Sequence, residues 1–381
     1  MRINISEDEM ERFLERLEFK RSYPELVLGL IDKIYEKSSL LYEEFRTIRN
    51  LLLKKIDYLY DKFFLSVKPR YVCSNVPVAG IDGSVVIVHG LGKKFFVFYG
   101  ISSVLFENGV ESIENPKINL SVGIETIEEK YEESPRMEAI LKMMLGETKA
   151  MRSVIEKVAN GVLFIDGPII DPPTVVDENY IDYRVKTLMY ALRRDVTLIG
   201  YVKRYKSNLF VNAISDVVDL RASDREVIPI LFNLLRNEKS VYEDEILLTK
   251  PIRITENNET AVSSHVLRTY YERFREYGIA STIYSSYIQV APNSRPAKIE
   301  FLGDNDEDAL NKAKLIASII KDFSVAGTYL PLPVLLAHKT SLIRKKVAQV
   351  ILREILSRLI GFTYEEVDLL TLNDLISFEE G

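Results

Sequence analysis

The chain has 381 residues, enough for one large domain with an insertion or for two to three smaller ones. Its 47% hydrophobic and 28% charged residues suit a globular protein with a sizeable core, and no apolar run reaches the roughly 18 residues of a membrane span. A net charge of −6 argues against a simple DNA-coating protein, and the single cysteine, Cys73, excludes a disulfide framework and a thiolate zinc site.

Three histidines, His89, His265 and His338, leave carboxylates as the main candidates for holding a metal, which suits hard ions such as Mg²⁺ or Mn²⁺. The N-terminal run MRINISEDEMERFLERLEF is too charged for a signal peptide, so the expectation is a cytoplasmic protein without a membrane partner. Two glutamines, no tryptophan and abundant Lys, Glu and Tyr lean towards a thermophile.

In chain order, residues 7–68 read as helices, with charged residues spaced between apolar ones and Pro24 opening the second. They form the bulk of an N-terminal helical region, 1–75. Residues 76–106 are rich in Val, Ile and Phe and broken by glycines, as adjacent strands are, and a third strand fits 118–127. A long helix from Ser134 to Ala159, a buried strand at 161–166, a helix at 178–194 and a buried strand at 196–203 follow. Three strands, helix, strand, helix, strand is the order of an RNase H-like α/β core with a mixed five-stranded sheet, its first part covering 76–204. Residues 205–275 read as a mostly helical insertion. Strands return at 282–291 and 297–302, and a final helix from Pro333 to Leu359 completes the core at 276–360, ahead of a tail, 361–381.

Asp82, in AGIDGSVV, and Asp166, in GVLFIDGP, each follow an apolar strand and precede a glycine. A carboxylate at a strand's C-terminal end projects into the crevice where α/β sheets place ligands, and the glycine lets the backbone turn away. Strand-Asp-Gly is also an ordinary turn signal; two such motifs on neighbouring strands say more than one. On the helix between them, Ile140, Met144, Met151, Val154, Ile155 and Val158 share a face, and Glu147 falls within that stripe. A charge on a core-facing stripe is costly unless it is paired or bound to metal. Glu138, nearer the helix start, is the rival. Three carboxylates from two strands and a helix can hold two divalent ions about 4 Å apart, the arrangement for in-line phosphodiester hydrolysis.

Taken in order, AGIDGS, GETKAM, LFIDGP, GYVKR and PLPVLLAH are similar to the core motifs of the archaeal NurA family, and the resemblance covers roughly residues 76–350. The resemblance implies a Mn²⁺-dependent nuclease with single-strand endonuclease and 5′-to-3′ exonuclease activity. It also implies a homodimer working with a hexameric HerA-type ATPase in DNA double-strand break end resection. Carried over position by position, Asp82, Glu147 and Asp166 are its metal carboxylates and His338 its C-terminal active-site histidine, able to ligate an ion or pass a proton. Lys203 would stabilise the scissile phosphate. Tyr329 stands one residue early for the family's tyrosine, whose place Leu330 takes.

Two basic clusters could follow a DNA backbone: Lys203, Arg204 and Lys206 beyond the core strand, and Arg344, Lys345 and Lys346, about two turns after His338 on the same helix. Tyr270, Tyr271, Tyr284 and Tyr287 could stack on bases. Two other readings compete: an actin-like or sugar-kinase ATPase, which needs a second glycine-rich loop that does not follow Asp166, and an inactive clamp for a DNA motor.

Overall fold

The computed structural model describes residues 33, 42–89, 94–128, 135–170, 177–205, 207–239, 241–255, 261–325, 330–361, 363 and 366. The chain divides into two compact units, Met1–Lys55 and Ile56–Gly381. In the first, residues 42–53 form a helix; Pro24 lies outside the described residues.

The second unit begins with α1 (Ile56–Phe63) and β1 (Phe64–Val67). The strands β2 (Val78–His89), β3 (Lys94–Phe106) and β4 (Lys117–Glu128) follow. Two strand–helix repeats come next: α2 (Pro135–Ile155) with β5 (Val162–Asp166), then α3 (Glu178–Leu192) with β6 (Thr197–Val202). After β6 come α4 (Leu209–Ala213), α5 (Asp224–Glu238), β7 (Ile246–Thr249), β8 (Ile252–Arg253) and α6 (Ala261–Glu276). The chain closes with β9 (Thr282–Gln289), β10 (Ala297–Gly303), α7 (Asp306–Asp322), α8 (Leu332–Ser341) and α9 (Lys345–Ile360).

Valine-, isoleucine- and phenylalanine-rich runs make the strands, and their pairing gives the RNase H-like order. β2, β3 and β4 form an antiparallel meander, and β5 lies parallel to β2 with β6 parallel to β5. The five strands are one half of a ten-stranded sheet that continues through β10, β9, β7 and β1, with β8 paired to β9. Among its described residues the segment 205–275 contributes three helices, but also β7 and β8, which join this sheet.

Side-chain alternation gives the sheet two buried faces. On one, Ala79, Ile81, Leu163 and Ile165 pack against Met144, Met151, Val154 and Ile155 of α2 and Ile181, Val185 and Leu188 of α3. On the other, Val78, Val104, Val162, Phe164 and Ile199 pack against Ala313, Ile316 and Ala317 of α7 and Val334 and Ala337 of α8. Each fully buried Val, Leu or Ile contributes about 1.5–3 kcal/mol relative to exposure, so both layers are anchored firmly. Among the described residues no helix is long and apolar enough to cross a membrane.

Three further elements depart from the sequence expectation. Phe64–Val67 is a strand, not the end of a helix, because it pairs with Ile246–Thr249 far along the chain; tertiary pairing overrides local pattern. The last helical region is two helices, α8 and α9, with Leu342–Arg344 between them. Helix α7 was not expected, although its start is marked by Asn305, whose side chain accepts from the Asp308 amide, and by Asp306, Glu307 and Asp308 in the first turn.

Cys73 is 1% exposed, and its amide and that of Val72 both donate to Asp322 Oδ2. Burial, then the Asp322 charge, pushes its thiol up to about 12. Only the thiolate is a good nucleophile. The folded protein should therefore resist a thiol reagent such as DTNB at about pH 8 and react once denatured. Rapid labelling in native buffer would contradict this packing.

Candidate metal centre

Parallel pairing of β2 with β5 ends at Ile81 opposite Ile165, and the next residue on each strand is an aspartate. Asp82 and Asp166 alternate with Ile81 and Ile165, so both point to the face that α8 covers. Both side chains are 8% exposed. Asp166 is the last residue of β5, and Gly167 turns the chain away with φ +142°.

Asp82 is placed differently from the sequence expectation. It sits inside β2, which runs on to His89, so Gly83 does not turn the backbone. A Cβ on Gly83 would lie 2.6 Å from Glu147 Oε1; the glycine makes room for a carboxylate from α2. Asp82 thus borders a gap because β5 stops beside it while β2 continues.

Helix α8 brings the third group. Its start rests on Gly80, where a Cβ would lie 2.4 Å from the Pro333 carbonyl, and its end on Gly100, where a Cβ would lie 2.7 Å from Ser341 O. His338, near the C-terminal end of this ten-residue helix rather than at the start of a long one, faces the aspartates. Its Nδ1 is 2.8 Å from Asp82 Oδ2 and 3.5 Å from Asp166 Oδ2, and its side chain is 50% exposed. A carboxylate can only accept, so Nδ1 carries the proton and Nε2 stays available. Asp82, Asp166 and His338 each offer a ligand atom, all within 4.8 Å of one another.

Two further contacts hold the carboxylates. Ser341 Oγ donates to Asp82 Oδ2 at 3.1 Å, and Lys203 Nζ lies 2.5 Å from Asp166 Oδ2. Burial and the charge on Asp82 push the Asp166 carboxyl above its ordinary value, while Lys203 and His338 pull it back. Every hydrogen bond to the pair falls on an Oδ2; among the described residues neither Oδ1 has a partner. Two sheltered carboxylate oxygens and an imidazole nitrogen fit a hard divalent cation such as Mn²⁺ or Mg²⁺.

The other sequence candidates are scattered around this centre. Glu147 is half-buried on α2 and reaches Gly83 from the opposite face of the sheet, outside the close group of three. Glu138 acts instead on Lys142, which pairs with Glu125 on β4. Arg204 is exposed just past β6, and Lys206 and Tyr329 lie outside the described residues. Arg344 and Lys346 are exposed and Lys345 half-buried, but on a separate helix from His338. Tyr270, Tyr284 and Tyr287 are buried, and Tyr271 donates to the Ile254 carbonyl, so these rings pack the core rather than offering a stacking surface. Ser341 was not found from sequence; no local signal marks it.

The model of the NurA domain family matches residues 76–342. No curated protein matches the sequence. Among solved structures, the NurA nuclease from Sulfolobus solfataricus aligns with TM-score 0.58 and 14% identity, covering 87% of this chain and 97% of that one. A second NurA crystal structure aligns with TM-score 0.54 and 12% identity, covering 89% and 99%. A NurA crystal structure with manganese aligns with TM-score 0.50 and 11% identity, covering 84% and 96%.

Asp82→Asn keeps an acceptor for His338 and Ser341 but removes one of two repelling charges. In EDTA this variant should melt at or above the wild-type temperature. Mn²⁺ should raise the melting temperature of the wild type but not of the variant. Equal stabilisation of both by Mn²⁺ would remove Asp82 from the centre.

Proposed function

The chain belongs to the NurA family, and we propose on that premise that Asp82, Glu147, Asp166 and His338 form the divalent-metal centre of a DNA nuclease. The protein is a metal-dependent hydrolase of phosphodiester bonds. The observation that carries this reading is the convergence of Asp82, Asp166 and His338 within 4.8 Å where β5 ends beside β2. A NurA crystallised with manganese supports Mn²⁺ as the ion, with Mg²⁺ as the alternative. Two ions, bound by these groups, would supply Lewis-acid stabilisation and an activated water at the phosphodiester.

The remaining roles belong to the chain's own groups. Asp82 and Asp166 present their Oδ1 atoms, with Glu147 reaching Gly83 from the α2 face of the sheet. His338, half-exposed and holding Asp82 through Nδ1, has Nε2 to ligate an ion or, in the doubly protonated ring, to give a proton to the leaving oxygen. Lys203, parked on Asp166, can swing to a non-bridging phosphate oxygen. Arg204 and Lys206 beyond β6, and Arg344, Lys345 and Lys346 around the start of α9, would follow the DNA backbone without reading sequence.

The finer reading is single-strand endonuclease and 5′-to-3′ exonuclease action in the cytoplasm, during end resection of double-strand breaks. A chain of net charge −6 has little general affinity for DNA, so delivery by a HerA-type ATPase to a nuclease homodimer supports that role. Residues 7–20, with Phe13, Leu14 and Leu17, are proposed as part of the protein–protein surface and lie outside the described residues. Within them, β4 exposes Ile118, Leu120, Val122 and Ile124, a row that a protein partner would cover.

End-labelled single-stranded DNA should be cut with Mn²⁺ and left intact in EDTA. Asp166→Ala should lower the rate by about 10³-fold or more, since losing a metal ligand removes several kcal/mol of transition-state stabilisation. Near-normal cutting by that variant at saturating Mn²⁺ would end the metal reading. Separately, the isolated chain should size as a dimer and co-purify with a HerA-type ATPase that changes its cleavage. A monomer whose cleavage ignores that ATPase would refute the partnership.

A further inference from the structure

We propose that Ser341 is a positioning residue for Asp82, held in place by a clasp of hydroxyl groups that ends α8, and that it aims Asp82 Oδ1 at the cation. The proposal rests on the metal reading above.

Ser341 is 3% exposed, and its Oγ has two acceptors within reach, Asp82 Oδ2 at 3.1 Å and the His338 carbonyl at 3.2 Å. The ionised carboxylate is the stronger acceptor. His338 Nδ1 donates to the same Oδ2. Two donors on one oxygen fix the rotation of the carboxylate, so Oδ1 is presented in a set direction with no partner of its own among the described residues.

The serine's placement depends on the helix stopping there. Ser84, two residues after Asp82 on the same face of β2, donates to the Ser341 carbonyl and accepts from the Ile343 amide at 3.0 Å. It thereby satisfies the carbonyl of the last residue of α8 and the amide two residues beyond, part of the service a cap performs elsewhere. Opposite Asp82 on β3, Ser102 bonds Thr340 Oγ1 at 2.6 Å. Two strand hydroxyls therefore grip the last two residues of α8. No glycine or proline stands at 342–344, so local sequence does not explain the break.

The role resembles that of groups that orient metal ligands from behind, whose loss costs about 10–100-fold in metal affinity. The test is calorimetric titration of Mn²⁺ into the wild type, Ser341→Ala, Ser341→Thr and Ser84→Ala, with melting curves in EDTA alongside. Ser341→Ala should bind Mn²⁺ about tenfold more weakly or worse, and Ser341→Thr, which restores the hydroxyl, should recover most of that loss. The Mn²⁺ needed for half-maximal DNA cleavage should rise in step, with a smaller fall in rate at saturating Mn²⁺.

A Ser341→Ala protein that melts lower in EDTA but binds Mn²⁺ as tightly as the wild type would show a purely structural serine and overturn the proposal. If Ser341→Ala does not fold, Ser84→Ala reads the same clasp without touching a proposed ligand. Weaker Mn²⁺ binding there supports the proposal, and wild-type affinity overturns it. Failure of the wild type itself to bind Mn²⁺ would instead bring down the metal reading.

Discussion

Two carboxylates that repel each other are held side by side at the point where β5 stops and β2 goes on, and much of the surrounding structure answers that repulsion. Asp166 feels it directly, since burial and the Asp82 charge both raise its carboxyl above the ordinary range. Lys203 lies against one oxygen of Asp166, and His338 and Ser341 against one oxygen of Asp82. None of these groups removes the conflict. They orient it, leaving the other oxygen of each aspartate for a cation, whose charge would turn an unfavourable pair into a binding site.

The two faces of the sheet divide the work. Asp82, Asp166 and His338 share the face covered by α8, while Glu147 comes from α2 on the other. The early end of β5 leaves β2 without that neighbour beyond Ile81, and the missing side chain of Gly83 leaves room for Glu147 against the strand on the α2 face. The rest of the ten-stranded sheet, from β10 to β1, widens the platform on the side away from β2 and adds none of the close group of three.

The aspartates were legible because two Asp-Gly motifs follow apolar strands that the fold order makes neighbours, yet the two glycines serve different ends. Gly167 does take a conformation that side chains avoid. Gly83 stays in the strand and gives space to a neighbour. Glu147 was legible as a charge on an apolar stripe, a conflict visible in one helix alone. His338 could be picked out only through the family's motif, and Ser341 not at all, because its partner lies 259 residues away. The same limit hid β1, whose partner β7 follows only after α2, α3, α4 and α5, and the division of α8 from α9, where the Ile343 amide bonds a serine on β2. Helix α7 is the opposite case: an asparagine cap and three acidic residues announced it, and the signal was available.

The seating of α8 on Gly80 and Gly100 sets where His338 stands. Helix backbone meets strand backbone there with no side chain between, a contact that neither compresses nor repacks. The same helix packs Val334 and Ala337 into the apolar layer beneath it, so the seat of His338 is set jointly by two backbone contacts and by the filling of that layer. A side chain added at either glycine would lift the helix off the strands and carry the imidazole away from Asp82, which makes these two positions as restrictive as the ligands themselves.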